Sequence, residues 1–293
     1  MSNFGWKSAG LLLVVVWGFS GLSEARVAFR DDAPSPFPVS EQVPFRLFRD
    51  YLIVVQGTLG DMAGRSLLID TGADPTVVDR SVARRLGLSE KPSRLSQLNR
   101  DSRAASSVLP SLVLGPIRAS SLPVLVADLS FVQRELGVRI DAIVGLDVLR
   151  SRNFAIDYQS KKIIFGELPI SSDSVRFETA PPLVTVKMQL EGKPLRFLVD
   201  TGASGLTLFA EDEHPRGLPL VRVEGAENIS GSFVRSEIYV SLHLGHIERR
   251  RQSAFLVQAN ASVQRNFDGL LSLPALGIKQ VAFDFDRGVL SWR

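Results

Sequence analysis

The chain has 293 residues, 45% of them hydrophobic, which is enough for one large domain or two small ones with real cores. Its formal net charge of +3 is spread along the chain, with Arg249-Arg250-Arg251 the only tight basic run, and no basic stripe is interleaved with aromatics, which argues against a nucleic-acid partner. The absence of cysteine excludes disulfides, thiolate metal sites, a Cys nucleophile and a lipidated Cys anchor.

In chain order, residues 1–25 read as an export signal. Lys7 supplies the positive charge, residues 9–19 are an almost unbroken apolar run too short for a usual membrane span, and Ser23-Glu24-Ala25 fits a small-x-small cleavage site. Left uncleaved, the same segment would anchor the protein at a membrane; otherwise the expected location is periplasmic or secreted. Residues 26–42, with Pro34, Pro36 and Pro38, read as an extended lead-in. Short runs rich in Val, Ile, Leu and Phe, bounded by Gly, Pro or Asp, predict strands at 52–58, 66–69, 122–127, 162–165, 183–190, 238–244, 254–258 and 281–285. Helical patterning is scarce. Asp79 can cap a helix running to Leu86 and stopped by Gly87, and short helices are expected after Asp147 and Pro274. The class is therefore all-β with few short helices.

The chain also repeats itself. Leu67-Leu68-Ile69-Asp70-Thr71-Gly72-Ala73 recurs 130 residues later as Phe197-Leu198-Val199-Asp200-Thr201-Gly202-Ala203. Leu112-Val113-Leu114-Gly115 recurs at the same offset as Leu242-His243-Leu244-Gly245. Asp141-Ala142-Ile143-Val144-Gly145-Leu146 and Phe154-Ala155-Ile156-Asp157-Tyr158 recur 127 residues later, at Asp268 and Val281. Four blocks in one order at nearly one offset mark a duplicated domain, since solenoid repeats are a few tens of residues long. The halves are residues 43–167 and 175–293, joined by a Ser-rich linker at 168–174.

Each Asp-Thr-Gly follows three apolar residues, the pattern of a buried strand ending in a tight turn that glycine permits. Two such turns, one per lobe, can bring Asp70 and Asp200 face to face. Carboxylates in contact share one proton, so one acts as base and the other as acid at the same pH. That pair can activate a water against a peptide carbonyl without metal, cofactor or covalent intermediate. A single Asp-Thr-Gly is a weak signal, whereas two copies in register with three further repeated blocks are a strong one.

These motifs resemble the pepsin and retropepsin clan of aspartic proteases. The stretch from Leu68 to Val78 is similar to a retroviral protease active-site loop, and the nearest likeness is to bacterial exported retropepsin-like proteases carrying both lobes in one chain. The resemblance covers residues 43–293. It implies two retropepsin-like β-barrel lobes in a pepsin-like bilobal arrangement, active as a monomer on an extended polypeptide. Asp70 and Asp200 would be the catalytic dyad. Thr71 and Thr201 would lock the loops together, Gly72 and Gly202 would permit the turns, and Ala73 and Ala203 would follow them. Ile143-Val144-Gly145 and Leu270-Leu271 would form the hydrophobic strands beneath the loops. Three departures stand out: Ser272 in place of the second lobe's Gly, no Tyr in either expected flap, and Ala73 and Ala203 where pepsins use Ser or Thr. Loss of a donor to the ionised dyad raises a carboxyl pKa and implies a mildly acidic optimum.

The flaps are expected as mobile polar loops at 97–107 and 225–236. Arg249 to Arg251 read as a solvated hairpin tip, and His243 and His246 as turn residues, since no further metal ligands lie near them in sequence. Asp157 and Asp284 read as strand-end turn residues and His214 as an exposed loop residue. A competing reading keeps the fold and drops the chemistry: a catalytically silent protein holding a peptide or envelope ligand in the cleft.

Overall fold

The computed structural model describes residues 27–29, 41–96, 101–166, 171, 173–180, 183–210, 220–228, 231–258 and 266–293. The expected export signal, most of the lead-in and the linker, His214, and the segments 97–100 and 229–230 of the expected flaps lie outside these residues. Within the lead-in, Ala28–Phe29 pairs antiparallel with strand Ile117–Ala127.

The described chain folds mainly as β-strands in two lobes of the same design. In lobe one, strands Leu52–Leu59 and Met62–Ile69 form an antiparallel hairpin. Met62–Ile69 then pairs in parallel with Ala142–Val144, which pairs antiparallel with Val77–Asp79, itself parallel to Ile117–Ala127. Lobe two repeats this with Leu183–Leu190, Lys193–Val199, Gly269–Leu271, Leu206–Ala210 and Ile247–Gln258. Leu67, Leu68 and Ile69 are all buried, as are Phe197, Leu198 and Val199. Strands covered on both faces need continuous apolar runs, which is why these stretches do not alternate.

The repeat-equivalent residues Asp141 and Asp268 perform one task twice. Asp141 Oδ2 accepts from the Ser66 N–H at 2.9 Å, and Asp268 Oδ2 from the Arg196 N–H at 2.8 Å. Each fixes the approach of the strand that leads into an Asp-Thr-Gly turn.

The lobes are joined by a shared sheet in the order Asp173–Arg176, Val289–Trp292, Gln280–Asp284, Phe154–Asp157, Lys162–Phe165, Glu41–Phe48. At its centre Ala155 pairs with Ala282, its own repeat equivalent, flanked by Phe154 opposite Phe283 and Ile156 opposite Val281. An approximate two-fold axis therefore passes between the two alanines. Phe154 and Phe283 stack across it with centroids 4.8 Å apart, in a core running unbroken from one lobe into the other.

The helix is observed as Arg80–Arg85, with Asp79 accepting from the Ser81 N–H at 3.0 Å. Short helical turns occur at Leu146–Leu149 and Leu273–Leu276. Helix Ser130–Leu136 is unanticipated; only Phe131 and Val132 give it buried apolar contacts, too few for a periodic signal.

The expected flap loops are instead paired strands. Lys91–Ser96 and Asp101–Leu114 form a hairpin in lobe one, and Leu220–Asn228 and Gly231–Leu244 one in lobe two. Polarity does not track exposure here, since Ser106, Ser107 and Arg235 are buried while Val221, Val223 and Val234 are exposed; backbone pairing supplies the order. Arg249, Arg250 and Arg251 likewise lie within strand Ile247–Gln258 rather than at a tip; Gly245 and His246 make the turn, and Arg251 stacks over Tyr239 at 4.2 Å. Asp157 and Asp284 do close strand-end turns, accepting from the Gln159 and Arg287 backbones.

Candidate active site

Each Asp-Thr-Gly turn begins where a buried strand ends. The Asp70 N–H donates to Val144 O at 3.0 Å and the Asp200 N–H to Leu271 O at 3.0 Å, so each aspartate is held by the strand beneath its loop. Within each turn the glycine N–H bonds the carboxylate two residues back: Gly72 to Asp70 Oδ1 at 2.8 Å and Gly202 to Asp200 Oδ1 at 2.7 Å.

The two turns meet across the pseudo-two-fold axis. Thr71 Oγ1 donates to Val199 O at 2.8 Å and accepts from the Thr201 N–H at 3.1 Å. Thr201 Oγ1 donates to Ile69 O at 3.0 Å and accepts from the Thr71 N–H at 3.0 Å. These four bonds are buried and reciprocal, so neither loop can shift without stranding polar groups of the other.

That lock sets the carboxyls against each other. A Cβ on Gly72 would lie 2.6 Å from Asp200 Cγ, so only glycine allows the Asp200 carboxyl to rest on this backbone. Burial raises Asp70 to about 6, opposed by the bond from Gly72 and by the contact with Asp200. Burial, and then the charge of Asp70, hold Asp200 well above the ordinary carboxylate range. Asp70 and Asp200 are each only 1% exposed. Two carboxyls so placed titrate as a pair and share one proton over the range in which both are raised.

The lobes depart from symmetry beneath the loops. A Cβ on Gly145 would meet Ala73 O at 2.4 Å, and the next N–H, of Leu146, bonds that same oxygen at 2.9 Å. At the equivalent place Ser272 carries a Cβ, and its ψ is 114° against −175° for Gly145. The Ser272 N–H turns instead to Gly205 O at 3.3 Å, and its buried hydroxyl is left without a partner.

A second acidic pair, missed in the sequence, lies beside the dyad in lobe one. Thr76 donates from N–H and hydroxyl to Asp147 at 2.9 and 2.8 Å, and its hydroxyl accepts from the Gly145 N–H at 3.1 Å. Burial raises Asp147 to about 6. Burial, and then the charge of Asp147, raise Asp74 to about 7, with Arg150 pulling it down, and Asp74 Oδ2 is buried without a partner. The repeat offsets place Ser204 and Pro274 at these positions in lobe two. That one-sidedness was the available sequence signal.

No group of His, Asp and Glu among the described residues could hold a metal ion. A lobe-one cavity of about 460 Å³ lined by Asp79, Arg84, Arg103, Asp128 and Arg139 includes neither dyad residue.

The family model for aspartyl proteases matches this chain twice, over residues 55–148 and 186–275, together more than half its length. The chain belongs to the aspartyl protease family. Each match spans one Asp-Thr-Gly turn and the strand beneath it, so the two aspartyl protease units coincide with the two observed lobes. No curated protein matches the chain significantly.

Proposed function

We propose that the protein is an aspartic endopeptidase that hydrolyses peptide bonds in extended polypeptides with Asp70 and Asp200 as its catalytic dyad. The observation that carries this reading is the buried carboxyl pair set face to face by four reciprocal hydrogen bonds between its two turns. Asp70, as carboxylate, takes a proton from a water bound between the two groups, and the water oxygen attacks the carbonyl carbon. Asp200 gives its proton to the carbonyl oxygen. Collapse of the tetrahedral intermediate breaks the C–N bond, the leaving nitrogen takes the proton held by Asp70, and the hydroxyl proton returns to Asp200. The apolar N-terminal run supports action outside the cytoplasm.

Catalysis needs Asp70 ionised and Asp200 protonated. The acid limb of kcat/KM is therefore expected near pH 6, where Asp70 titrates, giving a mildly acidic to neutral optimum rather than a strongly acidic one. The test is peptide-library cleavage by the full chain over roughly pH 3 to 8, beside Asp200→Asn. Cleavage that vanishes in the variant supports the dyad. A maximum below about pH 3 would refute the pKa reasoning. No cleavage from folded protein would favour a silent peptide-binding protein.

A further inference from the structure

Arg235 lies on strand Gly231–Leu244 of the lobe-two hairpin, and its side chain is 3% exposed. A buried guanidinium must be matched on every side. Its Nε donates to Glu224 Oε1 at 2.8 Å and its Nη2 to the same oxygen, bridging the two strands of the hairpin. Its Cζ sits 3.5 Å from the Phe255 ring centroid, on the barrel wall. Nη1 donates to Ser204 Oγ at 3.0 Å. Ser204 follows the Asp200-Thr201-Gly202-Ala203 turn directly.

Two further features fix this cation. Glu224 is also paired with Arg222 at 3.1 Å, and Arg222 in turn with Glu237, so the charges on this face of the hairpin are mutually matched. Tyr51 of lobe one is buried and within electrostatic reach of Arg235. It closes the tight turn between Glu41–Phe48 and Leu52–Leu59, its N–H donating to Phe48 O at 3.2 Å, with Arg49 and Asp50 at φ of 49° and 63°. One guanidinium thus ties together the hairpin, the barrel wall and the Asp200 loop, and faces lobe one. Lobe one has no counterpart, because the 130-residue offset places Ala105 at the position of Arg235.

We propose that Arg235 is a positioning residue for the hydrolysis. Through Ser204 it holds the lobe-two hairpin at a fixed distance from the Asp200 loop, and so sets how firmly a peptide is held against the dyad. This rests on the protease reading above.

The test uses the full chain carrying Arg235→Met, Ser204→Ala, both together, or Arg235→Lys. Cleavage is normalised to active sites titrated with a peptide analogue that carries a hydroxyl in place of the scissile carbonyl. KM per active site is expected to rise about tenfold in each single variant, the value of one charge-assisted hydrogen bond, with kcat within about twofold. The double variant should be no worse than Arg235→Met, because one link is broken only once. Arg235→Lys, which keeps the charge and loses the fork, should recover part of the loss. Unchanged KM, additive losses, or a fall confined to the number of titratable sites would overturn the proposal. Ser204→Ala leaves the Glu224 and Phe255 contacts intact, so it decides the matter if Arg235→Met does not fold. Amide exchange across 220–228 and 231–244 should accelerate in both single variants. If the wild-type chain cleaves nothing, the protease reading fails, while unchanged exchange would still overturn the link by itself.

Discussion

Replacing Asp74 by asparagine is expected to stabilise the protein at alkaline pH and leave it almost unchanged in acid. The Asp74 carboxyl titrates near 3.8 when free, and burial followed by the charge of Asp147 raises it to about 7 in the fold. The folded state then holds the proton more tightly than the unfolded chain does. The stability this contributes is complete below the unfolded value and is lost as pH rises through the folded one. A separation of about three units, at about 1.4 kcal/mol each, lowers stability by about 4 kcal/mol between pH 3 and pH 8. Asparagine keeps the shape and cannot ionise, so the slope due to this group disappears. Urea unfolding of both proteins at about pH 4, 6 and 8 measures it. The two should agree within about 1 kcal/mol at the lowest pH and differ by about 4 kcal/mol at the highest. Asp70 and Asp200 titrate in both proteins, so their contribution cancels in the difference, while the repulsion between Asp74 and Asp147 is part of the effect being read. A stability difference that does not change with pH would refute the assignment.

Thr71→Val removes the bond to Val199 O and strands the Thr201 N–H, so unfolding free energy should fall by about 2–5 kcal/mol, whereas Thr71→Ser should stay within about 1 kcal/mol of wild type. Gly72→Ala forces a carbon to within 2.6 Å of Asp200 Cγ, and kcat/KM should drop at least about 100-fold in a protein that still unfolds cooperatively. Ser272→Ala deletes a buried hydroxyl without a partner and should raise stability by about 1 kcal/mol in the same urea assay.

Much of this was legible because duplication made the sequence comment on itself. Asp70 and Asp200, with their apolar approaches, stand out as paired turns, and the resemblance to aspartic proteases points to Ile143-Val144 and Leu270-Leu271 as the strands under them, which are parallel in the structure. What escaped lay in contacts between residues distant in sequence and in polar strands. Thr76 and Asp147 meet only through contacts 71 residues apart in sequence, and the one signal was their failure to match Leu206 and Pro274 in lobe two, as Asp74 fails to match Ser204. Strand 238–244 was expected, but its continuation through 231–237 and the strand 101–107 escaped, because Ser- and Arg-rich stretches paired through their backbone show no apolar alternation even where Ser106, Ser107 and Arg235 are buried. Arg235 reads as a surface arginine until Phe255, Glu224 and Ser204 are found around it.

The pairing of Ala155 with Ala282 has a consequence for direction. Two identical walls around a two-fold axis accept a peptide equally well from either end, because its N-to-C sense reverses under the same rotation. One continuous chain frees each wall to change independently, and here one side of the dyad carries Asp74 and Asp147 while the other carries Ser204 and Arg235. The two lobes beside the dyad are therefore chemically distinct, and the two-fold symmetry that would make the orientations of an extended chain equivalent is broken in the structure itself.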